Sequence, residues 1–280
     1  MATAYYNGEY CDFCDVRIPL TDRCVFFGDG IYDAVIGKNG GIYLENNHIS
    51  RFCENSKKLK LNLGMNEKEL SEILHNVIRK SGFEEYFIYF QLTRSLNERR
   101  HEFGESKESN LLITIKPHTM PSKDTFLKLI TTEDIRYRMC NMKTLNILPS
   151  VLASQKAHEA GCDEAVFHRE GVVTECAHSN ILIVKDGVLK THPDCELILP
   201  GIMKSRLLFL AREMNIHVEE KPFTLQQLYS ADEILVSATG KLCLRANIVD
   251  KKVLKESSSN VGKLLIEEIF DDYSKSMQHI

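Results

Sequence analysis

Four dipeptides limit the fold more than any other feature of the chain: Asn7-Gly8, Asn39-Gly40, Glu170-Gly171 and Asp186-Gly187. Each separates two brief apolar runs, and a polar residue followed by glycine supplies the left-handed backbone that a tight hairpin turn demands. Antiparallel strand pairs are therefore expected in both halves. Further strands are predicted over Val25 to Asp33 (broken by two glycines), Tyr86 to Thr93, Leu111 to Lys116, Phe126 to Thr131 and Glu233 to Ser237. Helical periodicity alternates with them. Asn66 caps a run in which Leu70, Ile73, Leu74, Val77 and Ile78 share one face. Asn47 is read as the cap of a helix starting at His48. Helices are also predicted from Val151 to Ala160, from Met203 to Met214, after the capping box at Thr224 and Gln227, and at the C-terminal end. Pro117-His118-Thr119-Met120-Pro121-Ser122 breaks both patterns. The reading is an N-terminal α/β domain over 1–118, a linker at 119–122 and a strand-richer C-terminal α/β domain over 123–280.

Composition excludes several functions. A net charge of -4 gives no electrostatic case for nucleic acid or an anionic membrane. Nine cysteines, an odd number scattered along 280 residues, suit a reducing compartment better than a secreted scaffold. Cys11 and Cys14 form a lone pair, so no metal site is expected. Without a signal-like start or an apolar run of membrane length, the expected location is the cytoplasm.

The chemistry concentrates in three places. From Glu133 to Asn146 the residues alternate like a half-buried strand, with Ile135, Tyr137, Met139, Asn141, Lys143 and Leu145 on one face. A lysine among apolar neighbours is driven towards its neutral, nucleophilic amine, although Lys143 read alone equally suits a snorkelling surface side chain. The run Arg94 to His101 carries three arginines and a histidine, suited to gripping a carboxylate, or simply solvated. Gly201-Ile202 opens a helix whose first amides can bind a phosphate, and Ala238-Thr239-Gly240 ends a buried strand as a second phosphate candidate.

Together these stretches resemble the class IV, fold type IV, pyridoxal-phosphate aminotransferases, and most closely the D-amino acid aminotransferases. The likeness runs from Tyr5-Tyr6-Asn7-Gly8 to His279-Ile280. Its sharpest pieces are Phe27-Gly28-Asp29-Gly30-Ile31-Tyr32, His48-Ile49-Ser50-Arg51, the Arg94 to His101 run, Asp134-Ile135-Arg136 with Lys143-Thr144-Leu145-Asn146, and Thr174-Glu175. The resemblance implies two mixed α/β domains with the cofactor site between them, the second barrel-like. It makes Lys143 the residue that holds pyridoxal 5'-phosphate as a Schiff base and Glu175 the acid facing the pyridine nitrogen. Arg51, Ile202 and Thr239 become phosphate contacts. Arg136 is implied near the phenolic oxygen with Glu164 as partner, which requires a bend before Lys143. Tyr32, Arg99 and His101 resemble the group that traps the substrate carboxylate in D-specific enzymes, the latter two reaching in from a neighbouring subunit, hence a homodimer with shared sites. The implied reaction is transamination between a D-amino acid such as D-alanine and a 2-oxo acid such as 2-oxoglutarate. A branched-chain L-amino acid aminotransferase, an aminodeoxychorismate lyase and a non-catalytic binding protein on the same scaffold remain alternatives. The chain departs from the pattern at Cys176-Ala177-His178, where His178 is a candidate substrate contact, and in the Gly240-Lys241-Leu242 run. It departs again at Met203, where a threonine hydroxyl is usual; its loss costs about 1.5–3 kcal/mol if uncompensated.

Overall fold

The computed structural model describes residues 2–95, 98–103, 108–254 and 259–278. Leu96 and Asn97 of the cationic run, and the closing His279-Ile280, lie outside the described residues. By contacts the chain divides into two compact units, Met1–Thr119 with Met142–Asn146 and Lys275–Ile280, and Met120–Asn141 with Ile147–Ser274. The division falls beside the expected linker, but it groups Lys143 with the first unit, whereas the sequence reading put it in the second.

In the first unit β1 (Ala4–Tyr6) and β2 (Glu9–Cys11) turn at Asn7 and Gly8, whose φ angles are +45° and +101°. A short helix α1 (Arg23–Phe27) precedes β3 (Gly30–Lys38), which hairpins through Asn39-Gly40 into β4 (Gly41–Ile42). Helices α2 (Glu45–Lys58) and α3 (Glu67–Ser81) follow, then β5 (Glu85–Arg94) and β6 (Ser109–Pro117). The strands form one antiparallel sheet in the order β2-β1-β6-β5-β3-β4. Asn66 does cap α3, in a capping box with Glu69, and Leu70, Leu74, Val77 and Ile78 are buried. Phe52 of α2 meets Phe90 of β5 with ring centroids 4.8 Å apart, fixing helix to sheet by apolar burial.

Two predicted boundaries move. Helix α2 begins at Glu45, behind Leu44 in a left-handed conformation with no side-chain cap, so Asn47 lies inside the helix rather than at its start. The residues Val25, Phe26 and Phe27 are helical, not extended. Asp22 caps α1 by accepting from the Cys24 amide, and Gly28, at φ +60°, closes it.

The second unit holds β7 (Phe126–Glu133), α4 (Leu148–Glu159), β8 (Glu164–Arg169), β9 (Val172–Cys176), β10 (Asn180–Lys185) and β11 (Val188–Thr191). It continues with α5 (Ile202–Glu213), β12 (Val218–Glu220), β13 (Phe223–Thr224), α6 (Leu225–Tyr229), β14 (Glu233–Ala238), β15 (Leu242–Val249) and β16 (Lys252–Val253). Helix α7 (Val261–Ser276) ends the series. Ten strands make a mixed sheet in the order β12-β11-β10-β14-β15-β7-β8-β9-β13, with β16 on β15. Both expected hairpins, at Glu170-Gly171 and Asp186-Gly187, are present. No helix among the described residues is long and apolar enough to cross a membrane.

The largest correction concerns residues 134–147, which are not a strand. Strand β7 stops at Glu133, and the remainder is irregular apart from one bridge between Thr144 and Ile31. Ile135, Tyr137 and Met139, expected to be inward, are exposed. The cause is Asp134, whose carboxylate accepts from the Arg136 amide and side chain and so turns the chain away from the extended path.

Candidate active site

In the first unit Lys143 is tied to the start of β3. Its carbonyl accepts from the Tyr32 amide at 2.9 Å, and the Leu145 amide donates to the Gly30 carbonyl at 3.0 Å. The half-buried Lys143 ammonium lies 4.3 Å from the Tyr32 ring centroid, and that ring stacks on Tyr89. Backbone pairing thus fixes where the amine emerges, and aromatic faces border its path.

Beside Tyr32, Asp33 is completely buried on β3. It takes two hydrogen bonds from Arg51, from Nε at 2.8 Å and Nη2 at 2.8 Å, and a third contact from His48 Nδ1 at 2.9 Å. Burial alone would raise the Asp33 carboxyl, but Arg51 and His48 hold it well below the usual carboxylate range. His48, one turn before Arg51 on α2, is pushed down by burial despite Asp33. A neutral His48 facing an ionised acid carries its proton on Nδ1, leaving Nε2 as a buried acceptor with no hydrogen-bond partner among the described residues. Asp33 therefore orients Arg51 and selects the His48 tautomer.

In the second unit the irregular segment aims Arg136 at Glu175. The guanidinium binds Asp134 through Nε and Nη2, the Leu197 carbonyl through Nη2 at 3.1 Å, and Glu175 Oε1 through Nη1 at 2.5 Å. It also lies 4.4 Å from the Phe167 ring centroid. Arg169 and Thr174 both donate to Asp134 as well, and although burial would raise that acid, Arg136 holds it low. Glu175 Oε2 accepts from Asn180 Nδ2 and from the Leu199 amide, each at 3.0 Å. Three donors thus fix one carboxylate at the end of β9.

The implied Arg136–Glu164 pair is not what the structure shows. Glu164, fully buried, instead accepts from Ser179 at 2.8 Å, pairs with His178 Nδ1 at 3.0 Å and lies 3.8 Å from Lys241. Burial would raise Glu164, and His178 and Lys241 together bring it down. Ile202 opens α5 and Thr239 opens a short 3-10 turn before β15. Met203 is buried on α5 and offers no hydroxyl. Arg99 and His101 stand exposed on an irregular loop of the first unit. Asp33, His48, Asp134 and Asn180 escaped the sequence reading as site residues. A charged residue inside the apolar β3 pattern was the one signal for Asp33, and Asn180 gave none.

Residues 30–249 match the family described as amino-transferase class IV. The D-alanine aminotransferase of Staphylococcus epidermidis is 30% identical over 279 residues, 99% of each chain. That of Listeria monocytogenes is 36% identical over 238 residues, covering 83% of this chain and 82% of the relative. The branched-chain aminotransferase of Thermoproteus uzoniensis, solved with norvaline, shares the fold with a TM-score of 0.90, 22% identity, and coverage of 98% and 95%. A bacterial-type counterpart of that enzyme with a TM-score of 0.89 was solved with N-(5'-phosphopyridoxyl)-L-glutamate. The chain belongs to the class IV aminotransferases. It is a fold type IV enzyme of a class that depends on pyridoxal 5'-phosphate.

The donor set fits that cofactor. An amine, an arginine braced by a buried acid, and a carboxylate fixed by three donors are the groups its aldehyde, phosphate and ring nitrogen call for. Helix α5 adds a first turn with no capping side chain in front of its amides. Its N-cap must be glycine, because a Cβ on Gly201 would sit 1.8 Å from Asn180 Oδ1.

Proposed function

We propose that this aminotransferase acts on D-amino acids such as D-alanine, with a 2-oxo acid such as 2-oxoglutarate as acceptor. The observation that carries the proposal is the 30–36% identity to D-alanine aminotransferases over most of the chain. Bound pyridoxal phosphate supplies an electron sink for charge developing at the substrate Cα. Lys143 is assigned to hold the cofactor and, once displaced by substrate, to carry the proton to and from that carbon. Glu175, locked by Arg136, Asn180 and Leu199, is assigned to keep the pyridine nitrogen protonated. Arg51, with Thr239 and the Ile202 amide, is assigned to the phosphate, and Arg136 to the ring's phenolic oxygen. Tyr32, Arg99 and His101 are assigned to the substrate carboxylate, which fixes the hydrogen presented to Lys143 and hence the enantiomer. His178 is assigned to the substrate side chain.

A homodimer is part of the proposal. On α4, Leu148, Val151 and Leu152 are 67%, 52% and 56% exposed at helical spacing, an apolar stripe suited to a second copy. A cytoplasmic location is proposed from the cysteine usage. The test incubates the purified enzyme with D- and L-alanine, leucine and glutamate plus 2-oxoglutarate and measures each oxo acid formed. Pyruvate from D-alanine at a rate well above any L-substrate is expected. Faster turnover of L-leucine would refute D-specificity.

A further inference from the structure

We infer that Arg23 is a positioning residue for the loop that presents Arg99 and His101, an inference that rests on the carboxylate-binding role proposed for those two side chains. Arg23 is 4% exposed, although it belongs to a helix of only five residues. Its guanidinium turns to the loop backbone: Nη1 donates to the carbonyls of Arg100 at 2.6 Å and Glu102 at 3.1 Å, and Nη2 to that of His101 at 3.2 Å. Three consecutive carbonyls therefore converge on one cation. Nε donates to Asp29 at 2.8 Å, and the same oxygen accepts from Arg94 Nε at 2.9 Å.

The loop has no regular structure of its own between Glu98 and Phe103, and all six residues are exposed. Its backbone conformation therefore depends on outside partners. One turn after Arg23 on the same helix face, Phe27 receives the side chains. Its ring lies 5.4 Å from the Arg99 guanidinium and 5.5 Å from the His101 ring. Helix α1 thus grips the loop twice, by a guanidinium on the backbone and an aromatic face under the two candidate substrate contacts. The helix itself is anchored, because its cap Asp22 also accepts from Thr93 on β5 and Asn110 on β6. The guanidinium has the fork needed to serve Asp29 and three carbonyls at once, whereas a lysine ammonium has three donors from a single point.

The test compares the wild-type holoenzyme with Arg23→Gln, Arg23→Lys and Arg99→Ala. Misplacing the carboxylate contacts is expected to raise KM for D-alanine about tenfold in Arg23→Gln, with kcat within about twofold and the bound-cofactor absorbance unchanged. Trypsin is expected to cut after Arg99 or Arg100 faster in that variant. Arg23→Lys retains the charge beside Asp29 and hence the fold, and is expected to give an intermediate KM. It carries the test alone if the glutamine variant does not fold. Unchanged KM in the folded Arg23 variants, with or without faster cleavage, would overturn the inference, as would a parallel fall in kcat, cofactor uptake and substrate binding. Arg99→Ala separates the two readings: if it leaves KM for D-alanine unchanged, the carboxylate assignment itself fails.

Discussion

Both units bury an arginine against carboxylates, and they use the pair in opposite senses. In the first, a fully buried acid, Asp33, holds the cation Arg51 in place and keeps His48 neutral. In the second, a cation, Arg136, is itself clamped by Asp134 and holds the acid Glu175. The oriented group is thus positive in one unit and negative in the other, which matches a phosphate to be bound by the former and a protonated ring nitrogen by the latter. The frames differ too. Asp33, His48 and Arg51 sit on regular elements, whereas Arg136 sits in an irregular segment whose shape its own ion pairs create.

The sharpest test of this contrast is Asp33→Ala. It leaves the buried Arg51 and His48 without their acid, so a stability loss of about 3–5 kcal/mol is expected in urea unfolding, with weakened cofactor retention. A near-neutral result would mean that Asp33 does not organise its neighbours. Next in size, Glu175→Gln should lower kcat by about 10²–10³-fold while the protein still takes up cofactor. If kcat is retained, Glu175 is a structural partner of Arg136 and the two networks do not differ in role.

The smallest effect concerns pH. Because folding lowers the His48 pKa from its ordinary 6.5, the unfolded chain takes up that proton first as pH falls. The stabilising contribution is therefore present above 6.5 and is lost as pH drops from there towards the folded value, by at most about 1.4 kcal/mol per pH unit. His75, raised chiefly by its hydrogen bond to Glu45, works in the opposite direction in both proteins. The comparison of wild type with His48→Asn at pH 5.5 and 7.5 isolates the His48 term, and the variant is expected to lose less stability on acidification. An identical loss would show that His48 is not held neutral.

Local rules in the sequence determine much of the fold. The hairpins and α3 follow from turn dipeptides and a capping box, which act within a few residues. Helix α1 escaped because Val25, Phe26 and Phe27 favour strands, and the cap and the left-handed glycine at its two ends override that preference. The segment around Arg136 escaped because alternation of apolar residues says nothing about an aspartate that hydrogen-bonds its own backbone. For the site, Lys143, Glu175 and Arg51 came from resemblance, since no spacing rule links positions scattered over more than a hundred residues. Asn180 was illegible because it serves Glu175 and Leu199 only after β9 and β10 have paired with their neighbours.

The central claim is that the Lys143 amine holds the cofactor, and covalent trapping tests it most directly. Protein incubated with pyridoxal 5'-phosphate, reduced with borohydride and digested should yield a phosphopyridoxyl label on the peptide containing Lys143, and Lys143→Ala should yield none there. Labelling confined to other lysines, or a wild type that takes up no cofactor, would contradict the account.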